Sequence, residues 1–175
     1  MHVDITVFTA AALALFAGHH LGDYWLQSDR QAQAKGGCGR AGRTACAGHV
    51  STLTAAQGLL LVLVIALTGV EVSPAAVGLG LALNALSHYW ADRRFTLRGL
   101  VVATEPLTAK RGFYDNGGAA HLDQAWHVAW LVPSALIAAA PLPLAGAITA
   151  ACLALLVVAD VVSRVARRAE ARTAA

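Results

Sequence analysis

Three histidine–aspartate pairs stand out at helical spacing. His20 and Asp23 are three residues apart, with Gln27 four further on; Asn84, His88 and Asp92 follow one another at intervals of four; Asp123 and His127 are again four apart, in reversed order. On an α-helix such intervals put the side chains on one face. Neutral imidazole nitrogens mixed with carboxylate oxygens suit zinc, and a carboxylate-richer set with two ions suits manganese or iron. His49, with Thr52 on its face, adds a lone imidazole. The metal-ligand candidates are therefore His20, Asp23, His88, Asp92, Asp123 and His127. Asp23 and Asp123 are also candidates for the general base, and His49 for orienting water or substrate.

The elements that carry these residues are unusually apolar. Of 175 residues 57% are hydrophobic and 13% charged, and the mean hydropathy is +0.58, beyond what a soluble domain of this size carries. A spanning helix needs about 20 mostly apolar residues. Segments near that length run over 5–27, 45–70, 74–92, 121–139 and 144–165, so the fold class expected is an all-α polytopic bundle of five spanning helices. The whole of 1–175 forms one integral membrane domain, with loops over 28–44 and 93–120.

Basic residues orient the chain. Arg30, Lys35, Arg40 and Arg43 fall in the first loop, Arg93, Arg94, Arg98, Lys110 and Arg111 in the second, and Arg164, Arg167, Arg168 and Arg172 in the tail. Loops rich in lysine and arginine stay cytoplasmic, which sets the N-terminus outside and the C-terminus in the cytoplasm of a multi-pass protein of the inner (plasma) membrane. The formal charge of +3 then matches anionic lipid headgroups, and no nucleic-acid partner is needed. The first span lacks the basic leader and small-residue site of a cleaved signal. Cys38, Cys46 and Cys152 form no close pair, so neither a disulfide framework nor a zinc knuckle is indicated.

In this topology four antiparallel helices bring every pair to one depth, within about two turns of the cytoplasmic boundary. Ionisable groups inside spans face the bundle interior and mark a site. Of two adjacent histidines one points inward, and the first-helix reading takes His20 over His19. His121 lies at a helix start and His2 in solvent. Asp160 and Arg164 read as an intrahelical ion pair. Tyr24, Trp25, Tyr89, Trp90, Trp126 and Trp130 read as interfacial anchors, and Gly78, Gly80 and Ala82 as close-packing positions. The glycine-rich stretch 31–48 reads as a flexible connection, and Asp115-Asn116-Gly117-Gly118 as a turn. Lys35, Arg93 and Arg94 adjoin the site and offer cations for a phosphate.

At these residues the sequence resembles an uncharacterised family of bacterial and phage-encoded integral membrane proteins, domain of unknown function 3307. The resemblance rests on HLGDYWLQ from His20 to Gln27, then Lys35, the lone His49, HYWAD from His88 to Asp92, and DQAWH from Asp123 to His127. Arg93 and Arg94 stand where a lysine is expected shortly after Asp92. The family carries no known activity. The pattern is also distantly similar to membrane-bound metal-dependent hydrolases, which place histidine and aspartate at helix ends.

Three functions compete. The leading expectation is a metal-dependent hydrolase, zinc before manganese or iron, acting at the cytoplasmic surface on a lipid or lipid-linked phosphate or ester. The alternatives are a non-enzymatic structural or interaction protein of phage or host, whose polar cluster locks helices together, and a proton or metal-ion transporter. Apolar outer halves such as LLLVLVIAL disfavour a through-pathway unless an oligomer builds one.

Overall fold

A computed structural model describes residues 2–173, and among them the secondary structure is entirely helical. Helix α1 (Ile5–Leu21) starts where the Asp4 carboxylate accepts from the Val7 N–H at 2.9 Å. It runs on into a π-turn over Gly22–Leu26, in which the Gln27 N–H donates to the Gly22 carbonyl five residues back. Helix α2 (Asp29–Ala34) is set by a reciprocal Ser28–Gln31 capping box. Helix α3 (Arg40–Thr68) ends at Gly69, whose φ of +68° is the left-handed stop that glycine adopts without steric cost. Ser73 caps α4 (Pro74–Asp92), with proline in the first turn, where no N–H is required. Then follow α5 (Arg94–Thr108), the single turn α6 (Arg111–Phe113), a π-turn over Tyr114–Gly118, α7 (Ala119–Ala138) and α8 (Leu142–Thr173).

Helices α1, α3, α4 and α7 form the inner bundle: α1 lies against α3 and α7, and α4 against both of those, while α8 packs outside on α4, α5 and α7. Glycine permits the closest approaches. A Cβ on Gly18 would stand 2.7 Å from Gln57 Cα of α3, and one on Gly80 2.5 Å from the Ser134 carbonyl of α7. One end of the bundle is a dry core of Ala11, Ala14, Leu15, Leu61, Leu131 and Ala135. The other end holds the histidines and aspartates.

Among the described residues three helices are long and apolar enough to cross a membrane: Ile5–Leu26, Arg40–Thr68 and Leu142–Thr173. Helices α4 and α7, of 19 and 20 residues, bury Asn84, Ser87, His88 and Asp92, and His127 and Ser134, respectively. Outward-facing Leu59, Val62 and Leu67 of α3 and Leu155, Val157, Val158 and Val161 of α8 are all exposed, an apolar surface of the kind lipid covers.

The two stretches expected as loops are largely helical. Residues 28–44 contain α2 and the start of α3, and residues 93–120 contain α5, α6 and a π-turn. Leu97 and Val101 of α5 are buried, and Gly99 lets the helix close onto Ser163 of α8. Packing of that apolar stripe outweighs the weak helix propensity of Val101, Val102 and Thr104 in a segment expected as a loop. The Asp115–Gly118 turn does form, with Gly117 at φ +102°. Helix α8 continues to Thr173, and at about 48 Å it is longer than a hydrocarbon layer of about 30 Å; near its end Glu170 pairs with Arg98 and Arg111.

Candidate metal centre

The π-turn of α1, the first third of α3, the end of α4 and the start of α7 meet at one level. Because α1 and α4 run towards this level and α3 and α7 away from it, residues far apart in sequence converge. Asp23 Oδ1 lies 3.1 Å from His49 Nε2 and 3.4 Å from His88 Nε2; those two nitrogens are 3.1 Å apart; Asp92 Oδ2 is 3.5 Å from each of them. A tetrahedral zinc site with bonds of 2.0–2.2 Å has ligand–ligand edges of about 3.3–3.6 Å. Three of these five separations fall in that range, and the two of 3.1 Å, His49 to Asp23 and His49 to His88, are slightly shorter.

The side chains are sealed from solvent, at 5% exposure for Asp23, 1% for His49 and His88 and 0% for Asp92. Asp23 Oδ1 and Asp92 Oδ2 have no well-aligned hydrogen-bond partner among the described residues. Buried carboxylate oxygens without donors are costly, and a cation between them and the imidazoles removes that cost. His49, His88 and Asp92 form one group that could hold a metal ion, and His19, Asp23 and His88 another.

A second group adjoins the first through Asp92. Its Oδ1 is 2.7 Å from Lys35 Nζ and 3.7 Å from His127 Nε2, and His127 Nε2 is 3.3 Å from Asp123 Oδ2. Burial of the Lys35 ammonium disfavours its charge, but Asp92 beside it, helped by Asp23 and Asp123, outweighs this and holds the pKa above the ordinary lysine value. Lys35, Asp92 and Asp123 also line a cavity of about 360 Å³ beneath α2 and the Tyr114–Gly118 turn. Asp123, 26% exposed, looks into it.

Of the residues expected at the site, Asp23, His49, His88, Asp92, Asp123 and His127 are together, and His20 is not. The His20 ring lies against Phe16 and Tyr24, with Nδ1 3.1 Å from the Phe16 carbonyl. His19 takes the inward place: it is fully buried, its Nε2 is 3.0 Å from Gln124 Oε1, and Gln124 Nε2 donates to Asp23 Oδ2 at 2.7 Å. The correction has a readable cause. Val7, Ala11, Ala14, Leu15 and Gly18 are the buried residues of α1, and continuing that small-residue stripe by one turn reaches His19 and Gly22, not His20. Gln124 was missed because an amide flanked by Asp123 carries no metal-ligand signal of its own.

Thr52 turns away, bonding the Gly48 carbonyl of its own helix. Asn84 lies deeper, donating to Gln57 Oε1 at 2.7 Å, while Gln57 Nε2 donates to the Leu15 carbonyl at 3.0 Å. Arg93 does not face the cavity as a phosphate ligand. Its guanidinium donates to the carbonyls of Lys35 and Gly37 and so pins the end of α2; the Arg94 side chain lies outside the described residues. The Trp126 ring lies tilted between Trp90 and Trp130, with centroids 4.7 and 5.5 Å away, and its Nε1 donates to Ser87 Oγ at 2.9 Å, so these three rings pack helices together. Asp160 pairs with Arg164 and also accepts from Trp90 Nε1.

Compared with protein-family models, curated proteins and solved structures, the chain shows no match.

Proposed function

We propose that this chain is a multi-pass protein of the inner membrane, five-spanning with its N-terminus outside, and a metal-dependent hydrolase acting at the cytoplasmic surface on a lipid or lipid-linked phosphate or ester. The observation that carries the reading is the convergence of His49, His88, Asp23 and Asp92 from three helices, with donorless carboxylate oxygens, beside a cavity walled by Lys35 and Asp123. Zinc fits the nitrogen–oxygen donor set and the short separations. Held by Asp23, His49, His88 and Asp92, a metal ion would supply a bound water of lowered pKa and a Lewis acid for a substrate oxygen.

The chain's own groups complete the chemistry. Asp123, at the cavity wall, takes the proton from the attacking water. Lys35 holds the anionic part of the substrate, and the Gln124 bridge fixes Asp23 in its ligating position. Past Asn84 and Gln57 the bundle closes on Leu15, Leu61 and Ala135, which favours a one-sided site over a transport pathway.

The test is metal analysis of the detergent-purified protein, followed by phosphate release from vesicles containing phosphatidic acid and acyl-ester cleavage in vesicles of phosphatidylglycerol. The reading expects a stoichiometric ion, lost in His88→Ala and Asp92→Ala, and turnover lost with it. A parent protein that binds no ion under any loading condition removes the mechanism.

A further inference from the structure

The second group of ligands is unaccounted for by a single ion. His127 is 1% exposed in its side chain, yet neither ring nitrogen has a well-aligned hydrogen bond among the described residues, and its Nε2 is aimed between Asp123 Oδ2 and Asp92 Oδ1. These three residues form a separate set whose donor atoms lie within ligating reach of one another. The rings of His88 and His127 are stacked, with centroids 3.8 Å apart and planes 15° from parallel. Both Nε2 atoms face the Asp92 carboxylate, His88 at 3.5 Å from Oδ2 and His127 at 3.7 Å from Oδ1.

Two ions, one on each stacked ring and one on each oxygen of Asp92, would then be separated by nearly the ring spacing. Two-metal hydrolytic sites hold their ions about 3.5–4 Å apart, so that one activates the attacking oxygen and the other stabilises the leaving one. We infer that the centre is dinuclear: Asp92 bridges, Asp23, His49 and His88 complete the first position, and His127 and Asp123 the second, Asp123 then serving as a ligand in place of the base role it has beside a single ion. The inference rests on the metal-dependent reading above and makes it more specific. Lys35, 2.7 Å from Asp92 Oδ1 and on the wall of the cavity, is the cation with which an ion at the second position competes.

The experiment is Mn²⁺ titration of the metal-stripped full chain in detergent, read by bound metal and by electron paramagnetic resonance. Two Mn²⁺ per chain with an exchange-coupled spectrum are expected. Asp123→Asn, which alters a partly exposed group and spares the helix packing, and His127→Gln should each retain one ion with the spectrum of isolated Mn²⁺. Removing the competing charge by Lys35→Met should tighten the second ion by roughly tenfold. One ion per chain at saturation, or two without coupling, overturns the dinuclear centre and leaves the single-ion reading standing; no ion at all overturns both. Unchanged or weaker binding of the second ion in Lys35→Met refutes the competition assigned to Lys35.

Discussion

Replacing Gly18 by alanine tests whether the close contact of α1 on α3 is what brings the ligands into register. A Cβ there would lie 2.7 Å from Gln57 Cα, where ordinary contact begins at 3.4 Å, so α1 and α3 must part by the difference, 0.7 Å. Neither partner can yield by rotating a side chain, since the obstructing atom is backbone. Forcing a methyl into such a contact costs about 1–3 kcal/mol, offset by about 1 kcal/mol of helix propensity gained over glycine. The net loss of stability is therefore small, and the larger effect falls on the site. Asp23 lies about 7.5 Å along the same helix, and His49 is on the helix pushed away. Their separation of 3.1 Å grows by much of that displacement, whereas metal sites tolerate deviations of about 0.2 Å. Metal affinity should drop about 10- to 100-fold, the range seen when a ligand's support is removed. Chelator competition on purified protein measures this, with Gly78→Ala as the control, because nothing lies within 4 Å of a Cβ at that position. If Gly18→Ala binds metal as tightly as Gly78→Ala, close packing of α1 on α3 does not set the ligand geometry.

Four further outcomes follow from the same structure. His20→Ala should leave metal binding within about twofold, whereas His19→Ala should weaken it by about 10- to 100-fold through loss of the Gln124–Asp23 brace; equal effects would return the first-helix ligand to His20. Gln57→Leu should cost about 1–3 kcal/mol in unfolding experiments, because it strips partners from Asn84 and the Leu15 carbonyl, and Gln57→Leu with Asn84→Leu should recover part of it. Chelation of an ion present at about 1,000 times its Kd should lower stability by about 4 kcal/mol, and an unchanged melting profile would contradict a site that is part of the fold. A reporter fused after Ala175 should be active only on the cytoplasmic side, and activity outside would reverse the orientation.

The helices were legible where one physical signal acted alone. Apolar length marks α1, α3 and α8, and the Ser73–Pro74 and Gly69 signals mark the turn between α3 and α4. Helix α5 was not legible, because Leu97, Leu100 and Val101 become a coherent stripe only once the extension of α8 supplies a surface for them. At the site, spacing found three pairs and the lone His49, since ligands on one helix face must recur at three or four residues. Spacing could not choose between His19 and His20. That choice belongs to the helix's rotation, which Gly18 and Gly22 set by packing on Gln57 and Leu53 of α3. Arg93 was misplaced for a related reason: a guanidinium beside an acidic site reads as an anion ligand until the end of α2 claims its hydrogen bonds.

Charge supports the proposed ion over a polar clasp between helices. Three carboxylates, Asp23, Asp92 and Asp123, stand within ion-pair distance of the histidines, and the one lysine among them is Lys35. The cluster therefore carries two uncompensated negative charges when its imidazoles are neutral, at a depth where such charge is expensive to maintain. A clasp would be better built from amides, and the chain does build one a turn deeper, from Gln57 and Asn84. A single divalent cation cancels the excess. A second reverses it, leaving two positive charges that a phosphate ester neutralises and an uncharged carboxylic ester does not. The charge count thus ties the number of ions to the substrate: a dinuclear centre selects the phosphate among the substrates proposed, and a mononuclear one does not discriminate.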